Sequence, residues 1–355
     1  MEKKMFFICM LSMLLMNKGI AQVRLSYNLV PSIPDREGFA GMFAGVSNGF
    51  VVAAGGANFP DKMPWEGGSK MWYNDLFLFN KQTGQWGRSP VSLPGKRAYG
   101  VTASYNEKVI LVGGSDEKKH YSEVYSIKVE NSGIVLDSMA SMPVALANMT
   151  GALAGDFLFV AGGTFGPDGG PVTTFLALDL KKNKWVQLPS WPGPERMNAV
   201  SAGVGNRFFI FSGIQTENSK EGVKRNVLDD GYCFSPILKN GELVGGNWHK
   251  IEKIPWGIAA GPGPAPVVQD RFVIFPGGLD NATAQHKDPL THPGFISDIL
   301  SYDTKLNRWS TIGHLPKTEM RLTAPVVAYD GSFWIINGEV KPGKRTPTVL
   351  SIKIK

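Results

Sequence analysis

Short apolar runs that end in small residues dominate the hydrophobic pattern of the chain. Six of these runs share one form, in which four or five aliphatic or aromatic residues lead into a glycine. Their final glycines are Gly56, Gly114, Gly163, Gly213, Gly278 and Gly338. Successive glycines are therefore separated by 49 residues (163 − 114) to 65 residues (278 − 213). Recurrence at about 50 residues is typical of propeller repeats, so the pattern predicts six copies of one structural unit.

Each unit continues with an alternating second strand, a turn, and in most units a tryptophan before a proline corner. The tryptophans are Trp86, Trp185, Trp248 and Trp309. A small antiparallel sheet of this kind cannot bury its faces alone, but sheets stacked radially can. The pattern predicts an all-β fold, a six-bladed β-propeller in which residues 22–355 form a single domain.

The sixth unit has too few residues for a complete blade. It reaches the end of the chain at 348–355 after only three strands, while residues 24–29 supply a spare strand outside every other unit. We expect this N-terminal strand to complete the last blade, so that both ends of the chain meet in one sheet.

The first 21 residues are typical of a secretory signal peptide. A basic start at residues 1–4 precedes an apolar run that is too short to span a bilayer, and Gly19-Ile20-Ala21 supplies small residues for cleavage. No later apolar segment is long enough to cross a membrane. Removing residues 1–21 lowers the formal charge from +7 to +5, because three lysines and one glutamate leave. The remaining basic residues are scattered, which argues against nucleic acid as a partner.

Candidate catalytic residues are concentrated after the apolar run of the sixth unit, in the loop 337–346. Here Glu339 stands where the other units carry no acid, and Lys341, Lys344 and Arg345 follow within six residues. One reading is a reactive carboxylate beside cations, and the other is a carboxylate held in a structural salt bridge by Lys341 or Arg345.

A second candidate set comes from one position of the repeat. The residues 17 positions before each final glycine are Phe39, Arg97, Leu146, Arg196, Gly261 and Arg321. We expect this position to face the central mouth of the propeller, where the three arginines would bind a carboxylate. The alternative is that they bond carbonyl groups at blade corners. Asn148, two positions along in the third unit, is a weaker pocket candidate.

The glycine pairs and tryptophans resemble the kelch family along the whole mature chain. The loop Asn337-Gly338-Glu339-Val340-Lys341-Pro342-Gly343-Lys344-Arg345-Thr346, together with the segments 96–101 and 38–45, further resembles the N-acetylneuraminate epimerases, also called sialic acid mutarotases. These are exported six-bladed kelch proteins. In that family the loop precedes the two other segments, so the present chain looks like a circularly permuted relative.

The resemblance implies specific roles. Glu339 would be the catalytic acid/base, Arg345 would work beside it, and neither a metal nor another cofactor would be needed. The substrate would be sialic acid, a small molecule, and the protein would be periplasmic. Substrate contacts are expected from Arg97, Arg321, Arg196, Asn148, Lys341 and Asn58. The last of these belongs to a long connection, 57–74, that is expected to cover the pocket.

Other readings remain open at this point. A non-catalytic sugar-binding or protein-interaction module in the periplasm is the main alternative, and a sialidase is a weaker one. His286 and His292 in a second insertion, 280–295, are possible sugar contacts without metal-site spacing. Cys233 is expected to be a buried thiol in an apolar strand. The sequence leaves the oligomeric state undetermined.

Overall fold

Six four-stranded antiparallel sheets make up most of the computed structural model, which describes residues 25–220 and 222–354. The predicted signal peptide, 1–21, lies outside the described residues. The sheets are the blades of a propeller, so the predicted all-β, six-bladed fold is confirmed. Within the described ranges no helix has the length and apolar character needed to cross a membrane.

The first three blades follow the strand β1 (Leu25–Val30). Blade 1 consists of β2 (Phe43–Ser47), β3 (Phe50–Ala54), β6 (Leu76–Asn80) and β7 (Gln85–Arg88), with β4 (Ala57–Asn58), a 3-10 turn (Pro64–Glu66) and β5 (Met71–Trp72) between its second and third strands. Blade 2 consists of β8 (Val101–Tyr105), β9 (Lys108–Val112), β10 (Val124–Glu130) and β11 (Gly133–Met139). Blade 3 consists of β12 (Thr150–Ala154), β13 (Phe157–Ala161), β14 (Phe175–Asp179) and β15 (Lys184–Gln187).

The other three blades carry additional elements after their second strands. Blade 4 consists of β16 (Val200–Val204), β17 (Arg207–Phe211), β20 (Gly231–Lys239) and β21 (Glu242–Lys250), with the hairpin β18 (Ile214–Ser219) and β19 (Gly222–Val227). Blade 5 consists of β22 (Val267–Val268), β23 (Phe272–Pro276), β24 (Asp298–Asp303) and β25 (Arg308–His314), with the short helix α1 (Asn281–Ala284). Blade 6, after a 3-10 turn (Lys317–Glu319), consists of β26 (Val326–Tyr329), β27 (Ser332–Ile336), β30 (Val349–Ile354) and β1, with the hairpin β28 (Glu339–Lys341) and β29 (Lys344–Arg345).

Blade 6 is completed from the other end of the chain. β1 pairs antiparallel with β30 in a register that runs from Leu25 opposite Ile354 to Val30 opposite Val349. The predicted closure is therefore confirmed, with the strand ending at Val30 instead of Leu29.

The hydrophobic core lies between the blades. One cluster of buried apolar side chains occupies each of the six interfaces between neighbouring blades. The interface between blades 6 and 1, for example, packs Phe79 against Tyr329 and Trp334. Because every sheet shares both faces with its neighbours, the ring must close for all of this apolar surface to be buried.

The repeated tryptophans connect successive blades. The indole N–H of Trp86 donates to the Pro31 carbonyl at 2.9 Å, and that of Trp185 donates to the Ala140 carbonyl at 2.7 Å. Trp248 and Trp309 donate in the same way to carbonyl groups of the preceding blades. Each tryptophan thus joins the outer strand of its own blade to the preceding blade.

Candidate active site

A closed ring of six backbone hydrogen bonds surrounds the central channel where the inner strands begin. Its members, called here the mouth ring, are Gly41, Tyr99, Asn148, Asn198, Ala260 and Thr323, one from each blade. Each donates its N–H to the carbonyl of the member in the preceding blade at 2.7–2.9 Å, and Gly41 closes the circle on Thr323. All six have positive φ between 48° and 67°, the left-handed conformation. Asn148, Tyr99 and Thr323 are among the residues that line the channel cavity, and substrate contact by Asn148 stays a prediction.

The predicted arginines do not face this channel. Arg97, Arg196 and Arg321 each lie two residues before a member of the mouth ring and are only 2%, 0% and 1% exposed. The prediction that they converge on the mouth was wrong, because the residue that makes the left-handed turn toward the channel comes two positions later. The count also misplaced the fifth unit, where Ala260 is the ring member and Ile258 therefore corresponds to the arginines.

Arg196 is held entirely by protein groups. Its guanidinium forms two bonds with the Asp230 carboxylate, at 2.8 and 3.1 Å, and donates to the Ser212 carbonyl at 2.9 Å. A fully buried guanidinium with these partners joins the parts of blade 4 and offers no donor to a ligand in the mouth. The blade-corner alternative therefore describes Arg196.

Arg321 anchors the loop that carries Glu339. Its guanidinium donates to Glu319 at 3.0 Å and to the hydroxyl of Thr348 at 2.7 Å, and Thr348 in turn contacts Thr346 at 2.9 Å. Thr346 follows Arg345 directly, so the buried arginine fixes the point where the loop returns to its blade. Burial lowers the pKa of Arg321.

Arg97 is buried in a different environment. Its guanidinium lies over the rings of Tyr121 and Tyr125, at 4.4 and 4.8 Å from their centres. Its Nε and Nη1 atoms have no hydrogen-bond partner among the described residues. Burial raises the pKa of Tyr121 to about 12, so the neighbouring ring stays neutral at physiological pH.

Glu339 is adjacent to the mouth ring. Its backbone exchanges two hydrogen bonds, at 2.9 and 3.0 Å, with Leu322, the residue before Thr323. The same bridge recurs in every blade, and the residues in the place of Glu339 are Ala57, Ser115, Thr164, Ile214 and Leu279. The mouth therefore carries one carboxylate among six equivalent positions, on the side of the ring away from the inner strands.

The carboxylate of Glu339 is paired and still accessible. Its Oε2 lies 3.1 Å from Nη2 of Arg345, its Oε1 accepts the N–H of Gly343 at 3.2 Å, and the side chain is 20% exposed. Arg345 is only 5% exposed and lies over the ring of Phe59 at 4.9 Å. Its Nε and Nη1 have no hydrogen-bond partner in the described part of the chain. The structure brings the two predicted catalytic residues together, in the same salt bridge that the alternative reading foresaw.

The connection 57–74 of blade 1 packs against this pair. Besides Phe59 under Arg345, it places Pro64 and Trp65 in close contact with Gly343 at the tip of the hairpin β28–β29. The predicted cover over the pocket therefore touches the Glu339 loop directly. Trp72 of the same connection buries its Nε1 without a partner among the described residues.

Two other predicted contacts differ in how they can reach a ligand. Asn58 is 2% exposed, donates to the Gly38 carbonyl at 2.9 Å and accepts from Tyr73 at 2.9 Å, so its amide supports the connection 57–74 from inside. Lys341 is exposed on β28 opposite Lys344 and lies on the same hairpin as Glu339. Substrate contact by Lys341 stays a prediction.

The remaining candidates have structural partners. His292 is 5% exposed, accepts the N–H of Gly294 and contacts the Thr283 carbonyl at 3.1 Å. His286 is exposed and contacts the hydroxyl of Thr291 at 3.0 Å. Cys233 is a buried free thiol, as predicted, and burial raises its pKa to about 11.

Sequence reasoning missed four residues with polar side chains at the mouth. Tyr99, Asn198 and Thr323 belong to the mouth ring, and the ammonium group of Lys70 lies over the Tyr99 ring at 4.1 Å. Counting two positions beyond the arginines would have found the ring members. A single lysine in a long connection carries no such signal.

Comparison with known proteins gives sequence relatives that share one name, and also a solved structure and a repeat family that match the fold. The chain is 27% identical over 249 residues to an N-acetylneuraminate epimerase of Salmonella typhi, a match that covers 63% of this chain and 60% of that protein. It is 26% identical over 228 residues to an N-acetylneuraminate epimerase of Haemophilus influenzae (strain PittEE), with 58% and 56% covered. The matches thus span about 60% of the length of these curated relatives.

The fold and the repeats are matched more widely. The solved structure titled "Structure of YjhT" superposes with a TM-score of 0.65 at 17% identity, over 92% of this chain and 99% of that one. A likeness at this identity supports the propeller fold alone. The family model described as "KLHDC2/KLHL20/DRC7 Kelch-repeats domain" matches residues 43–253, more than half of the chain. The chain therefore belongs to the kelch-repeat family.

Proposed function

We propose that this protein is a sialic acid mutarotase, which interconverts the α and β anomers of N-acetylneuraminate. Glu339 is the proposed acid/base and Arg345 the cation beside it. The protein is further proposed to act in the periplasm after export through residues 1–21, without a metal or other cofactor. Its similarity to proteins named N-acetylneuraminate epimerase supports the reaction class.

The chemistry requires few groups. A base removes the proton from the anomeric hydroxyl, the bond between the anomeric carbon and the ring oxygen breaks, and the ring oxygen takes a proton. The hydroxyl formed from the ring oxygen then attacks the other face of the resulting ketone. It gives up its proton, and the ketone oxygen takes a proton to become the anomeric hydroxyl again. One accessible carboxylate, with water or a second acid, can carry both transfers.

One observation carries the proposal more than any other. Of the six equivalent positions that border the mouth ring, only Glu339 bears an acid, and that acid is paired with a buried arginine while 20% of its side chain stays exposed. A purely structural ion pair does not need access to the mouth. Arg345 instead holds one carboxylate oxygen in place at the mouth.

The partial match to the named relatives is consistent with a permuted chain. A linear alignment of two permuted sequences pairs only one of the two exchanged segments, and the matched share here is 63%. Permutation moves the chain ends around a closed ring but leaves the blades in place, so a pocket built from several blades can be retained.

The test follows the anomeric signals of freshly dissolved sialic acid by NMR. We expect the protein to accelerate the approach to anomeric equilibrium, and Glu339→Gln to lose this acceleration while keeping the fold. Glu242→Gln is the matched control, because Glu242 is exposed on the outer hairpin of blade 4, where it pairs with Lys182. Its rate should equal that of the wild type.

The same samples separate the competing functions. Equal equilibration rates with and without protein, but binding of the sugar, would leave the non-catalytic sugar-binding module. Release of the aglycone from a sialoside would instead indicate a sialidase. Retained acceleration in Glu339→Gln would contradict the proposed role of this residue.

A further inference from the structure

The connection 57–74 presents one face of a small antiparallel pair to the mouth. In this pair Ala57 is opposite Trp72 and Asn58 is opposite Met71. The next residues outward on the two segments are Phe59 and Lys70. Alternate residues of a strand share a face, so Ala57, Phe59, Lys70 and Trp72 are expected on the same side.

The ammonium group of Lys70 is held at this face by two aromatic rings. It lies 4.1 Å from the centre of the Tyr99 ring and 4.8 Å from that of Trp72. Tyr99 is a member of the mouth ring, so the cation stands at the entrance of the channel. Within the described ranges Lys70 forms neither a salt bridge nor a hydrogen bond, and its three donors are therefore unused.

Three arginines near the mouth are paired with carboxylates, and a fourth, Arg97, has no ionic partner among the described residues but is only 2% exposed. Arg345, which lies over Phe59, is paired with Glu339. Arg196 and Arg321 are paired with Asp230 and Glu319, and their side chains are only 0% and 1% exposed. Because an aromatic face attracts a cation without accepting conventional hydrogen bonds from it, the N–H donors of Lys70 remain for a ligand.

We propose that Lys70 binds the carboxylate of an anionic sugar and thereby sets the specificity of the site for sugar acids. This inference rests on the proposed function. In sialic acid the carboxylate is attached to the anomeric carbon, so the group that binds it must lie close to the acid/base. Lys70 is expected to meet this condition, since it lies on the same connection as Phe59, which contacts the Arg345 partner of Glu339.

The test compares sialic acid with its methyl ester, which retains the anomeric centre but lacks the charge. For Lys70→Met we expect KM for sialic acid to rise about tenfold with kcat changed less than about twofold, since one charge-assisted hydrogen bond is lost. For the methyl ester, wild type and Lys70→Met should have equal KM values. Lys70→Arg should restore at least part of the affinity for the acid.

Lys62→Met is the matched control, because Lys62 is an exposed lysine of the same connection. Its KM for both sugars should equal that of the wild type. An unchanged KM for the acid in Lys70→Met, or an equal loss for acid and ester, would overturn the proposal.

Calorimetric binding separates this proposal from the proposed function. If the wild type binds the acid more tightly than the ester, and Lys70→Met abolishes the difference, then Lys70 recognises the carboxylate whether or not the protein catalyses mutarotation. Equal binding of acid and ester by the wild type would overturn the inference, even where Glu339→Gln loses catalysis.

Discussion

At the scale of single residues, the proposed catalysis depends on how Glu339 and Arg345 are placed relative to each other. Arg345 is buried over Phe59 and holds one carboxylate oxygen, while the Gly343 N–H holds the other. This arrangement fixes the carboxylate in one orientation at the mouth. A base in a fixed position needs less reorganisation to reach the proton of the anomeric hydroxyl.

The planar guanidinium of Arg345 gives a first prediction. Arg345→Lys keeps the charge but loses both the stacking on Phe59 and the fork geometry, so the carboxylate should be less well oriented. We expect kcat for mutarotation to fall about 10-fold to 100-fold, measured by NMR, with a similar melting temperature. Lys344→Arg, an exposed neighbour on the same hairpin, should keep the wild-type rate. A wild-type rate in Arg345→Lys would refute the positioning role.

A second residue-scale prediction concerns Arg196, which the sequence suggested as a ligand contact. Asp230→Ala leaves its buried guanidinium without an ionic partner, and we expect the free energy of unfolding to drop by about 3–5 kcal/mol. Urea unfolding measures this change. The neighbouring Asp229 pairs with Lys253 at the surface, so Asp229→Ala should cost about 1 kcal/mol or less. Equal costs for the two variants would show that the Arg196 pair does not stabilise the blade.

At the scale of secondary-structure elements, the strand β1 completes blade 6 from the other end of the chain. It pairs with β30 along six residues and packs Leu25 and Val30 against the clusters on the two sides of blade 6. The sequence predicted this pairing because blade 6 lacked a strand and the segment before blade 1 was in excess. One strand missing from a blade and one strand left over elsewhere can be counted from the sequence, without knowing any side-chain contact.

Deleting residues 22–30 therefore gives a third prediction. It exposes the edge of β30 and removes two half-buried apolar side chains, so the free energy of unfolding should fall by at least about 3 kcal/mol. Thermal unfolding of the truncated protein checks this. Tyr27→Ser, on the exposed face of the same strand, should change stability by less than about 0.5 kcal/mol. Unchanged unfolding of the truncated protein would contradict the closure.

The contact between blades 2 and 3 gives a fourth prediction, on pH. His120 is buried and donates from Nδ1 to the Thr164 carbonyl, and burial lowers its pKa below the ordinary value of 6.5. Below pH 6.5 the unfolded chain binds a proton that the folded chain resists, so the free energy of unfolding should fall as the pH decreases. Urea titrations at pH 7.5, 6.5 and 5.5 measure this slope.

The variant His120→Asn separates this histidine from other acid-sensitive groups. It keeps a donor for the Thr164 carbonyl but cannot titrate, so the loss of stability on acidification should be smaller than in the wild type. His249→Asn changes an exposed histidine and should leave the slope unchanged. The same slope in His120→Asn and in the wild type would exclude this residue as the cause.

At the scale of the whole molecule, the mouth ring explains why part of the site could be predicted from the sequence and part could not. The repeat period and the glycines defined six blades and placed Glu339 next to the channel, because its position relative to the strands is the same in every blade. Counting residues does not give the direction of a side chain. The count therefore assigned to the arginines a place at the mouth that belongs to residues two positions later, and it selected Gly261 in the fifth unit where Ile258 is the equivalent residue.

Contacts between distant segments were also beyond the sequence. Arg345 lies over Phe59, and Lys70 lies over Tyr99, because the ring brings blades 6, 1 and 2 around one mouth. Neither pair is close along the chain, and neither has a periodic signal. Only closure of the ring places a carboxylate and two cations from different blades at one entrance.

Exchange NMR on sialic acid at anomeric equilibrium is the decisive experiment for mutarotation by Glu339, because it measures the interconversion rate without a change in composition. With the wild-type protein we predict exchange between the α and β signals well above the rate in buffer, and with Glu339→Gln a rate close to that of buffer. Exchange in Glu339→Gln as fast as in the wild type, with the variant folded, would contradict the account.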